Sequence, residues 1–389
     1  MTPRPLWLSA LLLLLLLLLL RLKEARARGR RDIDFPSPES ATIEAGGVIF
    51  ADTAGNPVHA HGAGIVLPGS HPGGRDAATG APIYYMVGTT QKYAPHWLSG
   101  GVNLYSSTDL QHWTFESEIF RNTSITTPLP VGEPRQYRIE RPKIIYNKAT
   151  QKYVMWFHLD SAAFKMGMVS VCTSDTIDGV YAFISGFQPD GQRSLDMGLF
   201  QDDDGSAYLI RSVDNKYAGI SKLTNDYLDT MGILSRGPRC EGQAMWRDGE
   251  RLYLLGSHLT GWRANAAILS TTTAPLSNNS QWQVLGNPSG SPTTWDSQST
   301  FVLPYVHPDG RELLIYLGDR WNGHGEEGGV GNASYVWLPL LKKTPSEGEE
   351  KEKEEEEEED PPAMFTIPYL ARWRVAQFPA RPSGPAWPR

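Results

Sequence analysis

Short strand-like runs recur along this chain at an almost regular interval. Each run is rich in Val, Ile, Tyr and Trp and is bounded by Gly, Asn, Asp or Pro, a pattern typical of β-strands between tight turns. Five of these runs begin about 45 to 70 residues apart, the length of a four-stranded propeller blade with its loops: Ile83–Gly88, Lys152–His158, Ala207–Arg211, Arg251–Gly256 and Glu312–Leu317. The chain is therefore predicted to be all-β and to fold as a five-bladed β-propeller.

The predicted domain organisation is one propeller between two short ends. Tyr335–Leu340 and Phe365–Val375 are assigned to the fifth blade, and the acidic segment between them is predicted to be a disordered insertion, because it is highly charged and carries few apolar residues. The predicted parts are 1–27, a signal peptide or short signal-anchor; 28–45, a linker; 46–379, the propeller with its insertion at 344–363; and 380–389, a C-terminal tail.

The net charge of −7 comes from one segment of the chain. Glu347–Asp360 holds 11 acidic residues and 2 lysines and contributes −9, so the rest of the chain carries about +2. A nearly neutral body lacks the basic surface that nucleic-acid binding requires. We therefore expect no nucleic-acid partner, and we expect the protein to be a monomer.

The N-terminus carries a targeting segment. Leu6–Leu20 is an apolar stretch of 15 residues that follows Arg4, which is short for a membrane span of about 20 residues and typical of a signal-peptide core. Ala25-Arg26-Ala27 offers a cleavage site, whereas the basic residues around it favour retention as a signal-anchor. Either outcome predicts entry into the secretory lumen: the protein is secreted to the cell exterior or wall, or it is held at a membrane if the leucine stretch is retained.

Sequons and cysteines agree with an oxidising lumen. Asn122, Asn278 and Asn332 each begin an N-x-S/T sequence. Cys172 and Cys240 either form one disulfide or remain two buried thiols, and the sequence favours neither. Because no Cys/His spacing is typical of a metal site, we expect neither a metal nor a cofactor.

Four polar residues precede the strand-like runs of successive units. They are separated by 56, 45 and 57 residues, so in a propeller each lies on the innermost strand of its blade: Glu140, Asp196, Glu241 and Gln298. Carboxylates crowded around one central pocket raise at least one pKa by burial and like-charge repulsion. A carboxyl group kept protonated in this way is the general acid that glycosidic bond cleavage requires.

Aromatic residues add a second indication of a carbohydrate site. The chain holds 12 Trp and 16 Tyr, and an aromatic face packs well against the C–H face of a sugar ring. Trp262 and Trp321 are candidate sugar platforms or blade packing, and His61 is a candidate for packing or for substrate hydrogen bonding.

From about Ala51 to Trp373 the chain resembles glycoside hydrolase family 43, and within it the exo-β-1,3-galactanase subfamily. The resemblance depends on several stretches together: Ala60-His61-Gly62, Tyr84–Gly88, Ile139–Lys143, Tyr153–Trp156, Asp196–Phe200, Asp202–Gly205, Gly261-Trp262, Ser297–Thr300, Gly318–Trp321 and Tyr335–Leu340. It implies a five-bladed propeller and hydrolysis with inversion at the anomeric carbon.

The resemblance also implies separate roles for the four polar residues. Glu241 matches the general acid, Asp196 the residue that tunes and orients that acid, and Glu140 a carboxylate that contacts the substrate. Gln298 matches the glutamine that takes the place of the usual Asp base and positions the attacking water. Thr89 departs from the subfamily pattern, which has Glu at that position, so one substrate contact is expected to be lost or altered.

The sequence thus predicts an exo-acting, inverting hydrolase that releases galactose from β-1,3-galactan. Two alternatives stay open at this point. One is another family 43 glycosidase, such as an arabinofuranosidase or a xylosidase. The other is a sugar-binding propeller without catalytic activity, which the neutral Gln298 and Thr89 would fit.

Overall fold

The computed structural model describes residues 42–44, 47, 49–90, 98–134, 136–307, 310, 312–321, 333–343 and 364–378. The leucine stretch Leu6–Leu20, the acidic insertion 344–363, the sequon at Asn332 and the tail 380–389 lie outside these residues, so the predictions for them remain predictions. Among the residues that the structure does describe, no helix is both long and apolar enough to span a bilayer.

Strand β1 (Thr42–Glu44) precedes five four-stranded antiparallel sheets that follow one another along the chain. Blade 1 consists of β2 (His61–Val66), β3 (Tyr84–Thr90), β4 (Gly101–Ser107) and β5 (Thr114–Arg121). Blade 2 consists of β6 (Tyr137–Asn147), β7 (Lys152–Ser161), β8 (Met168–Ser174) and β9 (Ala182–Phe187). Blade 3 consists of β10 (Ser194–Gln201), β11 (Ala207–Val213), β12 (Tyr217–Leu223) and β13 (Thr230–Gly237). Blade 4 consists of β14 (Glu241–Asp248), β15 (Arg251–Ser257), β16 (Ala267–Thr273) and β17 (Gln283–Gly286). Blade 5 consists of β18 (Gln298–Val306), β19 (Glu312–Arg320), β20 (Ser334–Lys342) and β21 (Phe365–Thr366), and β22 (Arg372–Arg374) follows it.

The first strand of each blade is its innermost strand. β2, β6, β10, β14 and β18 contact one another in turn, and β18 contacts β2, which closes the ring. The predicted five-bladed β-propeller is therefore confirmed. The five runs that predicted it are the second strands of the five blades, β3, β7, β11, β15 and β19.

Burial falls from the centre of each blade to its edge. The second strands are buried along most of their length, because neighbouring blades cover both faces, and they therefore appear as continuous apolar runs. The outermost strands β9 and β17 are largely exposed or half-buried. This gradient explains why the sequence signal was strongest for the second strand of every blade.

The end of the chain differs from the prediction. Of Phe365–Val375, only Phe365–Thr366 belongs to the fifth blade, whereas Arg372–Arg374 pairs antiparallel with β1 in a separate sheet. Pro368 lacks a backbone N–H and cannot continue the outer strand's hydrogen bonds, so the chain leaves the blade there. As a consequence β1 lies inside the segment predicted to be a linker.

The two cysteines are free and buried. Cys172 lies on β8 in blade 2, and Cys240 directly precedes β14 in blade 4. Of the two alternatives that the sequence left open, the structure has two buried thiols.

Candidate active site

Each inner strand carries one extra residue near its N-terminal end relative to the second strand of its blade. These β-bulges lie between His61 and Gly64, Glu140 and Lys143, Ser194 and Met197, Glu241 and Ala244, and Ser299 and Phe301. A bulge bends its strand and redirects the side chains beside it. Five bulges at the same level of the ring therefore turn one polar side chain per blade toward a common centre.

Two of the bulges require glycine. Gly62 and Gly242 have φ values of 63° and 64°, in the left-handed region. A Cβ on Gly62 would lie 2.9 Å from the Cα of Arg141, and a Cβ on Gly242 would lie 2.8 Å from the carbonyl oxygen of Ser299. The inner strands thus approach closely at the level of the site, and Arg141 takes the same conformation, with φ 55°.

The four polar residues predicted from their spacing are brought together. Arg141 links two of them, because its Nε lies 2.8 Å from Asp196 Oδ2 and its Nη2 donates to Gln298 Oε1 at 2.6 Å. Gln298 Nε2 in turn lies 3.3 Å from Glu241 Oε1. Glu140 and Asp196 have carboxylate oxygens within 4.8 Å of each other. The ring of side chains inferred from blade spacing is one connected cluster.

The surroundings of Gln298 fix the orientation of its amide. Oε1 accepts hydrogen bonds from Arg141 and from Trp321 Nε1, the latter at 2.9 Å, whereas Nε2 donates to Ser257 Oγ at 2.9 Å. If the amide were turned over, its NH₂ group would face two groups that can only donate. The amide oxygen is therefore held on the side of Arg141 and Trp321, and the nitrogen on the side of Glu241.

One expected distance is not observed. An inverting glycosidase holds its acid and its base about 6.5–9.5 Å apart, with water and the anomeric carbon between them. Here the amide of Gln298 and the carboxyl group of Glu241 are in direct contact at 3.3 Å. A sugar ring and a water cannot lie between two groups in direct contact, so catalysis by this pair requires the two side chains to separate.

The electrostatics of the cluster give two neighbouring carboxyl groups different protonation states. Burial and the charge of Asp196 raise the pKa of Glu241 to about 8. Burial alone would also raise the pKa of Asp196, but the Arg141 guanidinium and the backbone N–H of Gly242, which donates to Asp196 at 2.9 Å, outweigh it and lower that pKa. At neutral pH Glu241 is therefore protonated and Asp196 ionised, the pairing that a general acid requires.

We expect activity to be lost as the pH rises through about 8, the pKa of Glu241, because a general acid works only while protonated. Asp196→Asn removes a negative charge that raises this pKa, so the alkaline limb of kcat/KM should move to lower pH. The measurement is the pH profile of kcat/KM for glycoside hydrolysis.

The matched control is Asp229→Asn, which changes an exposed carboxylate of the same blade and should leave the profile unchanged. An Asp196→Asn enzyme with an unmoved alkaline limb would show that this charge does not tune Glu241.

The predicted aromatic residues lie at the same site. Trp262 and Trp321 pack edge to face with ring centroids 4.9 Å apart, and both are half-buried. His61 is 1% exposed, stacks on Tyr335 with centroids 5.2 Å apart, and places its Nδ1 3.3 Å from Asp319 Oδ1. The two tryptophans therefore offer accessible ring surface, whereas direct contact of His61 with a sugar remains a prediction.

Several polar residues of the cluster were not predicted from the sequence. Arg141 directly follows Glu140, and His158 and Asp160 lie on β7 beside Glu140, with His158 as its cross-strand partner. The neighbouring position of Arg141 and the spacing of His158 and Asp160 on one face of a strand were signals that could have identified them. Asp319, which accepts a hydrogen bond from the backbone N–H of Gly62 at 2.6 Å, lies in the stretch Gly318–Trp321 that carries the family resemblance and pairs across the strands with Gln298.

A group of three residues has the composition of a metal site. Glu140, His158 and Asp196 present ligand atoms within 4.8 Å of one another. These atoms already have partners: Arg141 and Gly242 bind Asp196, and Glu140 Oε2 lies 2.9 Å from His158 Nδ1. A metal ion would have to displace the Arg141 guanidinium and take a nitrogen that faces a carboxylate, so the residues present do not fit a cation.

Comparison with known proteins agrees with this geometry. Residues 66–283 match the family model of the glycosyl hydrolases family 43. Comparison with curated proteins gave no match.

Solved structures agree with the family model. An exo-β-1,3-galactanase from Phanerochaete chrysosporium, with β-1,3-galactotriose, is 28% identical over 86% of this chain and 68% of that chain, with a TM-score of 0.68. The exo-β-1,3-galactanase 1,3Gal43A from Clostridium thermocellum is 29% identical over 85% and 66%, with a TM-score of 0.69. A family 43 β-1,3-galactosidase with galactodeoxynojirimycin is 27% identical over 85% and 100%, with a TM-score of 0.66. Because the family model covers more than half of the chain, the protein belongs to family 43 of the glycosyl hydrolases.

Proposed function

We propose that the protein is an exo-acting, inverting glycosidase that releases galactose from β-1,3-linked galactan, such as the backbone of arabinogalactan. The observation that carries the proposal is the glutamine at the position of the base, hydrogen-bonded to a protonated glutamic acid. Gln298 lies 3.3 Å from Glu241, whose pKa is raised to about 8. The similar solved structures named above are described as exo-β-1,3-galactanases and β-1,3-galactosidases.

In the proposed reaction Glu241 protonates the leaving glycosidic oxygen. Its raised pKa keeps the proton available at neutral pH, and the ionised Asp196 maintains that raised pKa. As the bond to the leaving oxygen breaks, the proton passes to that oxygen and Glu241 becomes a carboxylate. The attacking water releases one proton to solvent as its oxygen bonds to the anomeric carbon, and Glu241 takes one proton back from solvent, so the acid is restored and the net reaction is hydrolysis of the glycosidic bond.

Gln298 positions the water that attacks the anomeric carbon from the opposite face. A neutral amide is a weak base, and its oxygen already accepts two hydrogen bonds from Arg141 and Trp321. Its contribution is therefore to orient the water, through the Nε2 N–H that contacts Glu241 in the structure and that becomes available when the two side chains separate. Holding a nucleophile in line with the reacting carbon supplies much of the rate of such reactions.

Substrate binding is assigned to Glu140 and to the two tryptophans. Glu140 offers carboxylate oxygens to sugar hydroxyl groups, and Trp262 and Trp321 offer ring faces to the pyranose. Thr89 is 3% exposed and donates to the carbonyl oxygen of His61 at 3.2 Å. A shorter, neutral side chain at this position cannot make the contact that a glutamate would make, so we expect weaker binding of one sugar hydroxyl.

A substrate panel tests the specificity. We expect galactose release from β-1,3-galactan and no comparable release of sugar from aryl α-arabinofuranoside or aryl β-xyloside. Preference for either pentoside would indicate that the protein has another substrate specificity within family 43. Binding of galactan without any sugar release at high protein concentration would favour a sugar-binding propeller, the alternative that Gln298 and Thr89 fit.

We further propose that the protein is a monomer of the secretory pathway that is glycosylated and either secreted or held by a signal-anchor. The leucine stretch Leu6–Leu20 and the sequence Ala25-Arg26-Ala27 support entry into the lumen. Asn278 is exposed, as a glycosylated residue must be, and Asn122 is half-buried. N-terminal sequencing of the protein from culture medium distinguishes cleavage from retention, and a mass shift on enzymatic deglycosylation tests the sequons.

A further inference from the structure

His158 lies between two carboxylates at the edge of the site. Its Nδ1 is 2.9 Å from Glu140 Oε2, and its Nε2 is 3.3 Å from Asp160 Oδ2. The side chains of His158 and Asp160 are 1% and 0% exposed. Ionised carboxylate oxygens only accept hydrogen bonds, so both ring nitrogens have to donate, and the ring is an imidazolium.

Asp160 is held as an anion by the end of β7 and the loop that follows it. Its two oxygens accept hydrogen bonds from the backbone N–H groups of Ser161, Met166 and Gly167 at 2.8, 2.7 and 2.9 Å. Burial raises the pKa of Asp160, but His158 and the backbone N–H groups of Met166 and Gly167 outweigh it and lower the pKa. The proton in the hydrogen bond between His158 and Asp160 therefore resides on His158.

An aromatic ring covers the charged group. Phe164 takes the left-handed conformation, with φ 56°, and its ring stacks on His158 with centroids 6.3 Å apart. The Arg138 guanidinium lies 3.9 Å from the centre of the same ring and 3.8 Å from Glu140 Oε1. Restricting water in this way strengthens the attraction between Glu140 and both cations.

The other side of the histidine faces the catalytic cluster. Asp196 on β10 is near enough for the charge of His158 to lower its pKa. The charged groups around the ring are thus Glu140 and Arg138 on β6, Asp160 on β7 and Asp196 on β10. Burial lowers the pKa of His158, but Asp160 and Glu140 outweigh it and raise that pKa to about 9.

We propose that His158 is a positioning residue for substrate binding: fixed by Asp160, its imidazolium donates a hydrogen bond to Glu140 and aims the carboxylate at a sugar hydroxyl. Within the described residues, Glu140 Oε1 is buried and accepts no hydrogen bond, while the side chain as a whole is 17% exposed, so the carboxylate reaches the surface of the site and has unused capacity to accept a hydrogen bond. This inference rests on the proposed function, in which Glu140 contacts the substrate. A metal-ligating His158 is excluded by the same geometry, because a ligand nitrogen carries no proton.

The first test measures the protonation of the ring without substrate. In ¹⁵N-histidine-labelled protein at pH 7.5, we expect both ring nitrogens of His158 to show the shifts of a protonated imidazolium, assigned by their loss in His158→Gln. One unprotonated nitrogen, or a stoichiometric divalent metal in the purified protein, would overturn the proposal. Because no substrate is present, this result is independent of whether the wild-type protein releases galactose.

The second test separates binding from chemistry. Loss of a charge-assisted contact predicts that His158→Gln raises KM for β-1,3-galactan by ~10-fold or more, with kcat changed much less. The matched control is His112→Gln, which removes a histidine whose Nδ1 lies 2.6 Å from Asp109 on blade 1, and it should leave both constants unchanged.

Asp160→Asn provides a second variant that leaves Glu140 and His158 in place. It should lower the pKa of His158 in the ¹⁵N titration and raise KM in the same direction. If both variants fold, as checked by thermal unfolding, and KM is unchanged, the proposal is wrong. If His158→Gln does not fold, Asp160→Asn and the wild-type ¹⁵N shifts decide it.

Discussion

Replacing Glu241 with Gln is expected to reduce kcat for β-1,3-galactan by about 10²–10⁴-fold, the usual contribution of a general acid. Gln has nearly the same shape, and the contact with Gln298 Nε2 can still be made through the new amide oxygen. What is lost is the proton that Glu241 retains up to a pH of about 8. The measurement is steady-state galactose release, with KM expected to change little.

The leaving group provides an internal check on this prediction. An aryl galactoside with a strongly acidic phenol needs little protonation, so Glu241→Gln should be much less impaired on it than on galactan. The matched control is Glu250→Gln, which changes an exposed glutamate in the turn between β14 and β15 of the same blade and should be neutral. An equal loss on both substrates, or near wild-type turnover of galactan, would contradict the role of Glu241 as the acid.

Replacing Gln298 with Ala is expected to reduce kcat by about 10²-fold or more, the lower range for a group that assists the nucleophile. The truncation removes the amide that Arg141 and Trp321 hold in one orientation, so the attacking water is no longer oriented by this side chain. Because Glu140, Trp262 and Trp321 are unchanged, KM should rise only slightly. Galactose release and galactan binding are measured on the same preparations.

Ser257→Ala is a milder variant that perturbs Gln298 without removing its amide. It removes one acceptor of Nε2, at 2.9 Å, and leaves the amide oxygen and its two donors in place, so a small loss of kcat is expected. Wild-type kcat in Gln298→Ala would show that the amide does not guide the water. It would also remove the observation that carries the assignment to a β-1,3-galactanase.

The sequence predicted the ring of functional residues because a propeller repeats. Each blade begins its inner strand at the same level, so Glu140, Asp196, Glu241 and Gln298 could be brought together from chain spacing alone. The spacing of these residues along the chain indicates only the level of the ring at which each one lies. It does not give the direction of a side chain, and the contact between Gln298 and Glu241 was therefore not predicted.

Residues that act through an unusual backbone or a cross-strand pairing were missed for physical reasons. Arg141 links Asp196 to Gln298 from a left-handed conformation, which a sequence does not reveal for a residue other than glycine. His158 is the cross-strand partner of Glu140 through a bulged register, and a bulge shifts the pairing by one residue. Arg372–Arg374 pairs with β1, more than 300 residues away in sequence, and a local sequence pattern does not indicate which distant strand a segment pairs with.

The most direct test of the central claim is a ¹H NMR time course of β-1,3-galactan hydrolysis. We predict that galactose is the only sugar released and that its α-anomer appears before mutarotation produces the β-anomer, as inversion by Glu241 and a water guided by Gln298 requires. Initial release of β-galactose, or of oligosaccharides in place of galactose, would contradict the account.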